Sequence, residues 1–460
     1  MAVIKDALTV VARELVRLQP DGVLQTREKD RDFFLNFVTV ASGARVHFSK
    51  KAVAEIPNVA RILYTNQTGI EEEIRFAEFC GHVRQGIAEC FSAGRLMDEA
   101  GVLLPGAKKA LRSFVFDAVS STKTELTHYF PAWTMGVEEI TAFRVGPVRF
   151  STRRQWIDSV DFSKALKSRY ESEPLDWKRD LLATLEGKAD PSTLHPLARD
   201  VFRAVGDCPS VIGVTISPCD VVLSRQRARM AARSALDSLA LVFENPEMHR
   251  RFILHDEPAL PMSYSTLSGT SGILRHTGGS KVPRGPYNSP SDAMAVIDEY
   301  SDLIKACSSA ISATLDPRDH PAPNLAKRWV TALRWHSDGC RETDDSIAVV
   351  KHAACLDILA CGRKANGIIE LVASQLGARG EQVLFGRPEL TVNQAVSELY
   401  NDGRSRVLHG SFADPMKSFK EQRSRATKLA RILLRATVRN WETYTGRDVP
   451  EWFRTRGTTS

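Results

Sequence analysis

The run Ala426-Thr427-Lys428-Leu429-Ala430-Arg431-Ile432-Leu433-Leu434-Arg435-Ala436-Thr437-Val438-Arg439-Asn440-Trp441 decides the fold reading of this chain. Ala426, Leu429, Ala430, Leu433, Leu434, Thr437, Val438 and Trp441 recur at three- and four-residue intervals, the period of a helix with one buried face. Arg423, Lys428, Arg431, Arg435 and Arg439 fall largely off that stripe. The segment therefore predicts a helix with an apolar side in a core and a basic side turned outward. Similar stripes precede it. Leu325, Trp329, Ala332 and Leu333 form one, and Ile347, Val350, Ala354, Ile358 and Cys361 a second that begins near acidic Asp344 and Asp345. A third holds Ile368, Ile369, Val372 and Leu376 and stops at Gly377; a fourth holds Val392, Ala395, Val396, Leu399 and Tyr400. Thr391 with Gln394 three residues later has the pattern of a capping box for that last helix. Residues 311–460 thus read as an all-α helical bundle, with Trp329, Trp335 and Trp441 among its core aromatics.

Upstream the pattern changes. Residues 1–135 read as mostly helical: Ile4, Leu8, Val11, Ala12, Leu15 and Leu18 share a helical face, and Ile74, Phe79, Val83, Ile87 and Cys90 share another. Glu71, Glu72 and Glu73 are expected in the first turn of that second helix, where acids complement the dipole. Residues 136–310 read as mixed α/β. A strand pair is expected over 140–150 around Gly146-Pro147, then a strand over Val211–Ile216, then a helix with Ser224 at its N-cap. Residues 269–290 are rich in glycine, serine and proline and read as a flexible loop. The expected class is α+β multidomain, a mixed α/β N-terminal portion followed by the helical bundle.

At 460 residues the chain is long enough for about three domains. Its 43% apolar and 25% charged residues exclude a wholly disordered chain or a disulfide-framed miniprotein. The 62 basic and 55 acidic residues give a net charge of +7. Residues 401–460 hold 13 basic and 6 acidic groups, so the whole excess sits in this tail, where it would attract a polyanion or simply be solvated. Residues 1–20 lack a signal-peptide layout, no apolar run is long enough for a membrane span, and eight sparse cysteines include no Cys-x-x-Cys pair. A reducing cytoplasm is the expected location, with no membrane association. Cys355 reads as a small buried apolar residue.

No dinucleotide fingerprint, Walker A segment, His-Glu-x-x-His, zinc-deaminase signature or Gly-x-Ser-x-Gly elbow occurs, so neither a metal nor a cofactor is expected. The segment with chemical content is Leu399-Tyr400-Asn401-Asp402-Gly403-Arg404-Ser405-Arg406-Val407-Leu408-His409-Gly410. An Arg-x4-His spacing arises about once by chance in a chain of this composition. A second copy, Arg250-x4-His255, lies in the mixed region and reads as that chance hit. Arg404-x4-His409 differs because it falls between two amphipathic helices, with Ser405 after the arginine and Gly410 after the histidine.

With Trp329–Trp335, His352–Leu359 and Leu399-Tyr400, this segment resembles the HEPN ribonucleases, and within them the Apea-like HEPN domain, over about residues 322–445. Where many relatives carry Ala-Leu-Glu, this chain has Cys355-Leu356-Asp357, an acid one methylene shorter. A looser likeness extends to the region that precedes such domains. The resemblance implies metal-independent endoribonuclease activity at a homodimer cleft where two motifs meet. It also implies a place in bacterial anti-phage defence or a toxin–antitoxin pair, with a phage-derived or antitoxin regulator as a further partner.

The residue chemistry agrees. RNA supplies its own nucleophile, the 2′-hydroxyl, so cleavage needs proton transfer and charge stabilisation at phosphorus. A histidine, with a reference pKa of about 6.5, moves protons near neutral pH, and an arginine fork matches phosphate geometry. The expected roles are His409 as general acid or base, Arg404 as phosphate ligand and Ser405 as orienting hydroxyl. Asp357 stands behind them, and Arg406, Arg423, Lys428, Arg431 and Arg435 contact flanking RNA. On a regular helix five residues turn through roughly 500°, leaving the Arg404 and His409 side chains about 140° apart. Either two motifs meet across a two-fold axis or a break at Asn401-Asp402-Gly403 re-aims Arg404. The competing readings are a helix-end histidine with Arg404 paired to Asp402, and a non-catalytic module that binds RNA, a partner or a signal.

Overall fold

The computed structural model describes residues 2–20, 24, 36–98, 102–161, 176–257, 263–270, 273–280, 289–386, 388–410 and 416–456. The chain is mixed α/β and 62% helical, with a half-barrel sheet and a helical C-terminal region. It divides into two compact units, one of Met1–Leu126 with Ile216–Arg227 and one of Thr127–Thr215 with Ala228–Ser460.

The first unit contains α1 (Ala2–Leu18), the short pair β1 (Phe37–Thr39) and β2 (Arg45–His47), then α2 (Lys50–Thr65), α3 (Phe76–Ser92) and α4 (Ala107–Thr122). Leu8, Val11, Leu15, Phe79, Val83 and Ile87 are buried together, the faces expected from the two stripes. Glu71 and Glu72 lie instead in a separate 3-10 turn, Ile70–Glu72, before α3 begins. Glu73 pairs with Lys123, and the Asp220 Oδ2 accepts the backbone N–H of Arg75, the N-cap residue of α3, at 3.1 Å.

The second unit carries a five-stranded sheet from β3 (Thr124–Trp133), β4 (Arg144–Val145), β5 (Val148–Thr152), β6 (Ser210–Cys219) and β7 (Ile253–Leu254). The strand order is β4-β5-β6-β3-β7. The expected strand pair forms around Gly146-Pro147, but its first strand is only two residues long, because the chain turns at Thr141-Ala142, where Ala142 has φ 56°. Between β5 and β6 lie α5 (Arg153–Ser159), α6 (Trp177–Leu185) and α7 (Pro196–Val205). They bury Trp156, Trp177, Leu181 and Val201.

From β6 the chain enters the long helix α8 (Val221–Val242). Asp220 caps it, accepting the N–H groups of Val222 and Leu223 at 3.0 Å each, so the cap is Asp220 and not Ser224, which is buried inside the first turn. After the short α9 (Met248–Arg251), residues expected as loop form instead an in-register antiparallel hairpin, β8 (Ser263–Thr270) with β9 (Ile273–Ser280). Its glycines and serines masked an alternating strand sequence. Of the rest of the expected loop, 271–272 and 281–288 lie outside the described residues, and Ser289 and Pro290 cap and begin the next helix.

The C-terminal region continues with α10 (Pro290–Glu299), α11 (Ser301–Leu315), α12 (Pro323–Arg341), α13 (Asp345–Leu359) and α14 (Lys364–Leu376). A small hairpin, β10 (Val383–Gly386) and β11 (Glu389–Thr391), leads into α15 (Val392–Ser397). A π-helical turn over Glu398–Ser405 follows, then α16 (Arg406–Leu408), α17 (Lys420–Glu442) and α18 (Trp452–Thr455). Helices α11, α12, α13 and α17 pack on one another. All eight stripe residues from Ala426 to Trp441 are buried. Leucines such as Leu429, Leu433 and Leu434 each contribute roughly 1.5–3 kcal/mol by leaving water. The indoles keep their hydrogen bonds: Trp329 Nε1 donates to the Leu434 carbonyl and Trp441 Nε1 to that of Ala322, both at 2.9 Å. Thr391 and Gln394 form the expected capping box, and Asp344 caps α13 by accepting from Ser346 and Ile347.

Two expectations change. Trp335 is 40% exposed, not a core aromatic. On α13 the buried face is Ala348, Val349, His352, Ala353, Cys355, Leu356 and Leu359, with Ile347 exposed. The helix is apolar on nearly every side, so periodicity selected a stripe rotated from the face that packs.

Candidate functional site

The segment Glu398–Ser405 winds with i→i+5 bonding, an inserted residue that widens the turn and recurs at functional sites. Three contacts hold it. Glu398 Oε1 accepts from Arg425 Nη2 of α17 at 2.5 Å. Leu399 and Tyr400 are buried. Gly403 faces α13 so closely that a Cβ there would stand 2.6 Å from Val349 Cγ1. A glycine is therefore required for the turn to lie flat on α13.

Inside this turn Arg404 folds back over Tyr400. Its Nη1 donates to the Tyr400 hydroxyl at 2.8 Å, and its guanidinium carbon stands 4.9 Å from the ring centroid. The arginine thus has one fixed end and is not paired to Asp402, which takes Arg406 instead at 3.2 Å. Burial raises the Tyr400 phenol above its ordinary range and the charge of Asp357 adds to this, against the opposing Arg404. Asp357 therefore sits within electrostatic reach of the same group. Its Oδ1 is buried without a hydrogen-bond partner among the described residues.

His409 follows α16 and is exposed; its backbone N–H donates to the Ser405 carbonyl at 3.0 Å. Among the described residues no hydrogen bond or ion pair joins the side chains of Arg404 and His409. The structure therefore brings Arg404 and Tyr400 together, with the charge of Asp357 acting on Tyr400, and leaves His409 as a separate exposed imidazole at the end of the same segment. Tyr400 is the residue that motif reasoning did not assign a role; its i,i+4 spacing to Arg404 was the available signal.

The basic residues of α17 divide. Arg423, Lys428 and Arg431 line one cavity of about 410 Å³ together with Arg250, Lys420 and Cys340. Arg423 is also a clamp at the α12–α13 junction, with Nη1 on Asp345 Oδ1 at 2.8 Å and Nη2 on the Glu342 carbonyl at 2.7 Å. Arg431 donates to the Glu244 carbonyl and Arg435 to the Glu244 carboxylate; Arg435 also lies 4.6 Å from the Tyr300 ring centroid. These contacts hold Glu244 below the usual carboxylate range, the Arg435 hydrogen bond most strongly. Arg406 is exposed beside the motif. In the second Arg-x4-His spacing, Arg250 pairs with Glu247 at 3.1 Å and the His255 Nδ1 lies 3.4 Å from Cys208 Sγ.

Beside the cavity lies a buried cluster that the sequence did not reveal as one: His249 of α9, His336 and Cys340 of α12, His352 of α13 and Thr427 of α17. No family model, curated protein or solved structure matches this chain. Among the described residues no helix is long and apolar enough to cross a membrane.

Proposed function

We propose that the chain is a metal-independent endoribonuclease of the HEPN type, with its site at Arg404 and His409 and its C-terminal helices as the HEPN bundle. The observation that carries this reading is the π-helical turn, which anchors Arg404 on Tyr400 while the His409 ring stays open to solvent. A guanidinium with one end fixed offers its remaining N–H groups to a phosphate in a set orientation. An exposed imidazole is free to take the 2′-hydroxyl proton or return one to the leaving 5′-oxygen. Ser405 orients the phosphate, Asp357 biases the Tyr400–Arg404 pair, and Arg406 with the α17 cations holds flanking backbone.

A single motif offers one imidazole, whereas general-acid and general-base steps use two. A homodimer that faces two motifs supplies both. The N-terminal portion then restrains or triggers the nuclease, in keeping with bacterial defence or a toxin–antitoxin role. The sparse cysteines, with no Cys-x-x-Cys pair, suit a cytoplasmic site of action.

The test is cleavage of end-labelled RNA by the purified full chain in EDTA. Expected products carry 2′,3′-cyclic phosphate and 5′-hydroxyl ends, and Arg404→Ala lowers the rate by about 10²–10³-fold. Undiminished cutting by the Arg404→Ala, His409→Ala double variant would sink the assignment. A non-catalytic, RNA-binding reading has support in the basic cavity of Arg250, Lys420, Arg423, Lys428 and Arg431. That reading gains if both variants bind RNA like the wild type and neither they nor the wild type cut it.

A further inference from the structure

His336 and Cys340 are four residues apart on α12, which puts both on one face of the helix. His336 Nε2 and Cys340 Sγ are 3.7 Å apart. In a tetrahedral zinc site, with Zn–N near 2.0–2.1 Å and Zn–S near 2.3 Å, the same two atoms stand about 3.6 Å apart. A ring nitrogen of His249 completes a set of three donor atoms that lie within 4.8 Å of one another.

The hydrogen bonds around this set fix which lone pairs are free. The Thr427 hydroxyl donates to the Arg423 carbonyl at 2.8 Å, so its oxygen must accept from His352 Nε2–H at 2.9 Å. His352 Nδ1 is then an acceptor, and His336 Nδ1 donates to it at 3.2 Å. That leaves His336 Nε2 with its lone pair directed at Cys340. A metal-bound histidine has this same wiring, one nitrogen on the ion and the other donating to a fixed partner. Gly339 makes room for it, since a Cβ there would come within 2.8 Å of the His352 ring.

A hydrogen-bonded core accounts for these groups except one. His249 is 2% exposed, its ring meets that of His336 edge-on at 5.2 Å, and its Nδ1 is buried with no partner among the described residues. Its backbone is nevertheless held in place: Arg341 Nε donates to the His249 carbonyl at 2.7 Å, and Arg250 Nη2 to the Glu342 carbonyl at 2.8 Å.

We propose that His249, His336 and Cys340 bind one zinc-class transition-metal ion, with the fourth position taken by water or an anionic oxygen from the basic cavity that Cys340 also lines. Two imidazoles and a thiolate suit zinc and its neighbours rather than magnesium or calcium, which take oxygen ligands. Three protein ligands with one open position is the arrangement of an exchangeable site. The ion replaces the thiol proton of Cys340, so binding releases one proton. Without an ion, burial holds His336 down to about 3 and pushes the Cys340 thiol up to about 12, so the donors are neutral. The site joins α9 to α12 and is separate from Arg404 and His409.

The test uses the full chain, stripped with a chelator and then titrated with Zn²⁺ or Co²⁺, and does not read RNA cleavage. One ion per chain is expected, with a thiolate-to-cobalt charge-transfer band and tetrahedral d–d bands for Co²⁺. Cys340→Ser should abolish the charge-transfer band, and His352→Gln, outside the ligand set, should weaken Zn²⁺ binding by about 10–100-fold. Failure of the folded wild-type chain to take up either ion, or a charge-transfer band that survives Cys340→Ser, overturns the proposal. Neither outcome bears on the nuclease assignment.

Discussion

The molecule holds histidine in two opposite settings within one unit. His409 stands exposed at the end of a short helix, with solvent around its ring, whereas His249, His336 and His352 are sealed in the core at 2% exposure or less. Exposure leaves the first within reach of a substrate, which acid–base chemistry at this ring would need. Desolvation keeps the others neutral well below the ordinary histidine range, so they serve as lone-pair donors and hydrogen-bond links. The same side chain is thus assigned opposite tasks by burial alone, and the two sites should respond to substitution in opposite ways.

The widest separation is expected at His409→Ala. Cleavage should fall by about 10²–10⁴-fold, while urea denaturation shows a stability within about 0.5 kcal/mol of the wild type. A large loss of stability would break the contrast. The reverse pattern is expected at His352→Leu. It leaves His336 Nδ1–H without its acceptor and the Thr427 oxygen without its donor, each costing about 1–3 kcal/mol in a dry core. Denaturation midpoints read this directly, and an unchanged midpoint would show that the buried rings do not depend on one another.

Tyr400→Phe falls between. It removes one hydrogen bond to Arg404, worth about 1–2 kcal/mol, and keeps the ring under the guanidinium. The expected result is a cleavage rate reduced about tenfold by a freer arginine, with KM for RNA rising more than in His409→Ala. The smallest effect is at Glu244. Its carboxyl lies below the usual range because Arg435 hydrogen-bonds its ionised form. That contribution is therefore complete above the ordinary glutamate value and lost as pH falls through the lowered one. Between pH 5 and pH 3 the wild type should lose slightly more stability than Glu244→Gln in parallel denaturation curves.

The strength of a pattern in the sequence depended on how amphipathic its element is. Helix α17 alternates leucines with arginines, so its buried face was legible residue by residue. Helix α13 is apolar nearly all round, so the stripe that included Ile347 is as regular as the one that packs, and periodicity did not place His352 on the buried face. The 269–290 stretch misled in another way, since small residues that suit a linker also fit a narrow hairpin. Within the candidate site, Arg404 and His409 were visible as a spacing. The wide turn that holds Arg404 was legible only as the alternative of a break at Asn401-Asp402-Gly403, because one inserted residue leaves apolar periodicity almost unchanged. The histidine–cysteine cluster was invisible for a third reason. His249 belongs to a different element from His336 and Cys340, and only the folded chain brings them together.

The turn over Glu398–Ser405 differs from an ordinary helix by a single residue, and it can be undone by removing one. Deleting Asp402 would let the backbone close into regular i→i+4 bonding and rotate everything downstream by roughly 100°. Arg404 would swing off the Tyr400 ring, and the approach of Gly403 to Val349 would pass to a neighbour that carries a Cβ. A one-codon deletion thus keeps both the arginine and the histidine while changing how the turn aims them and how it seats on α13.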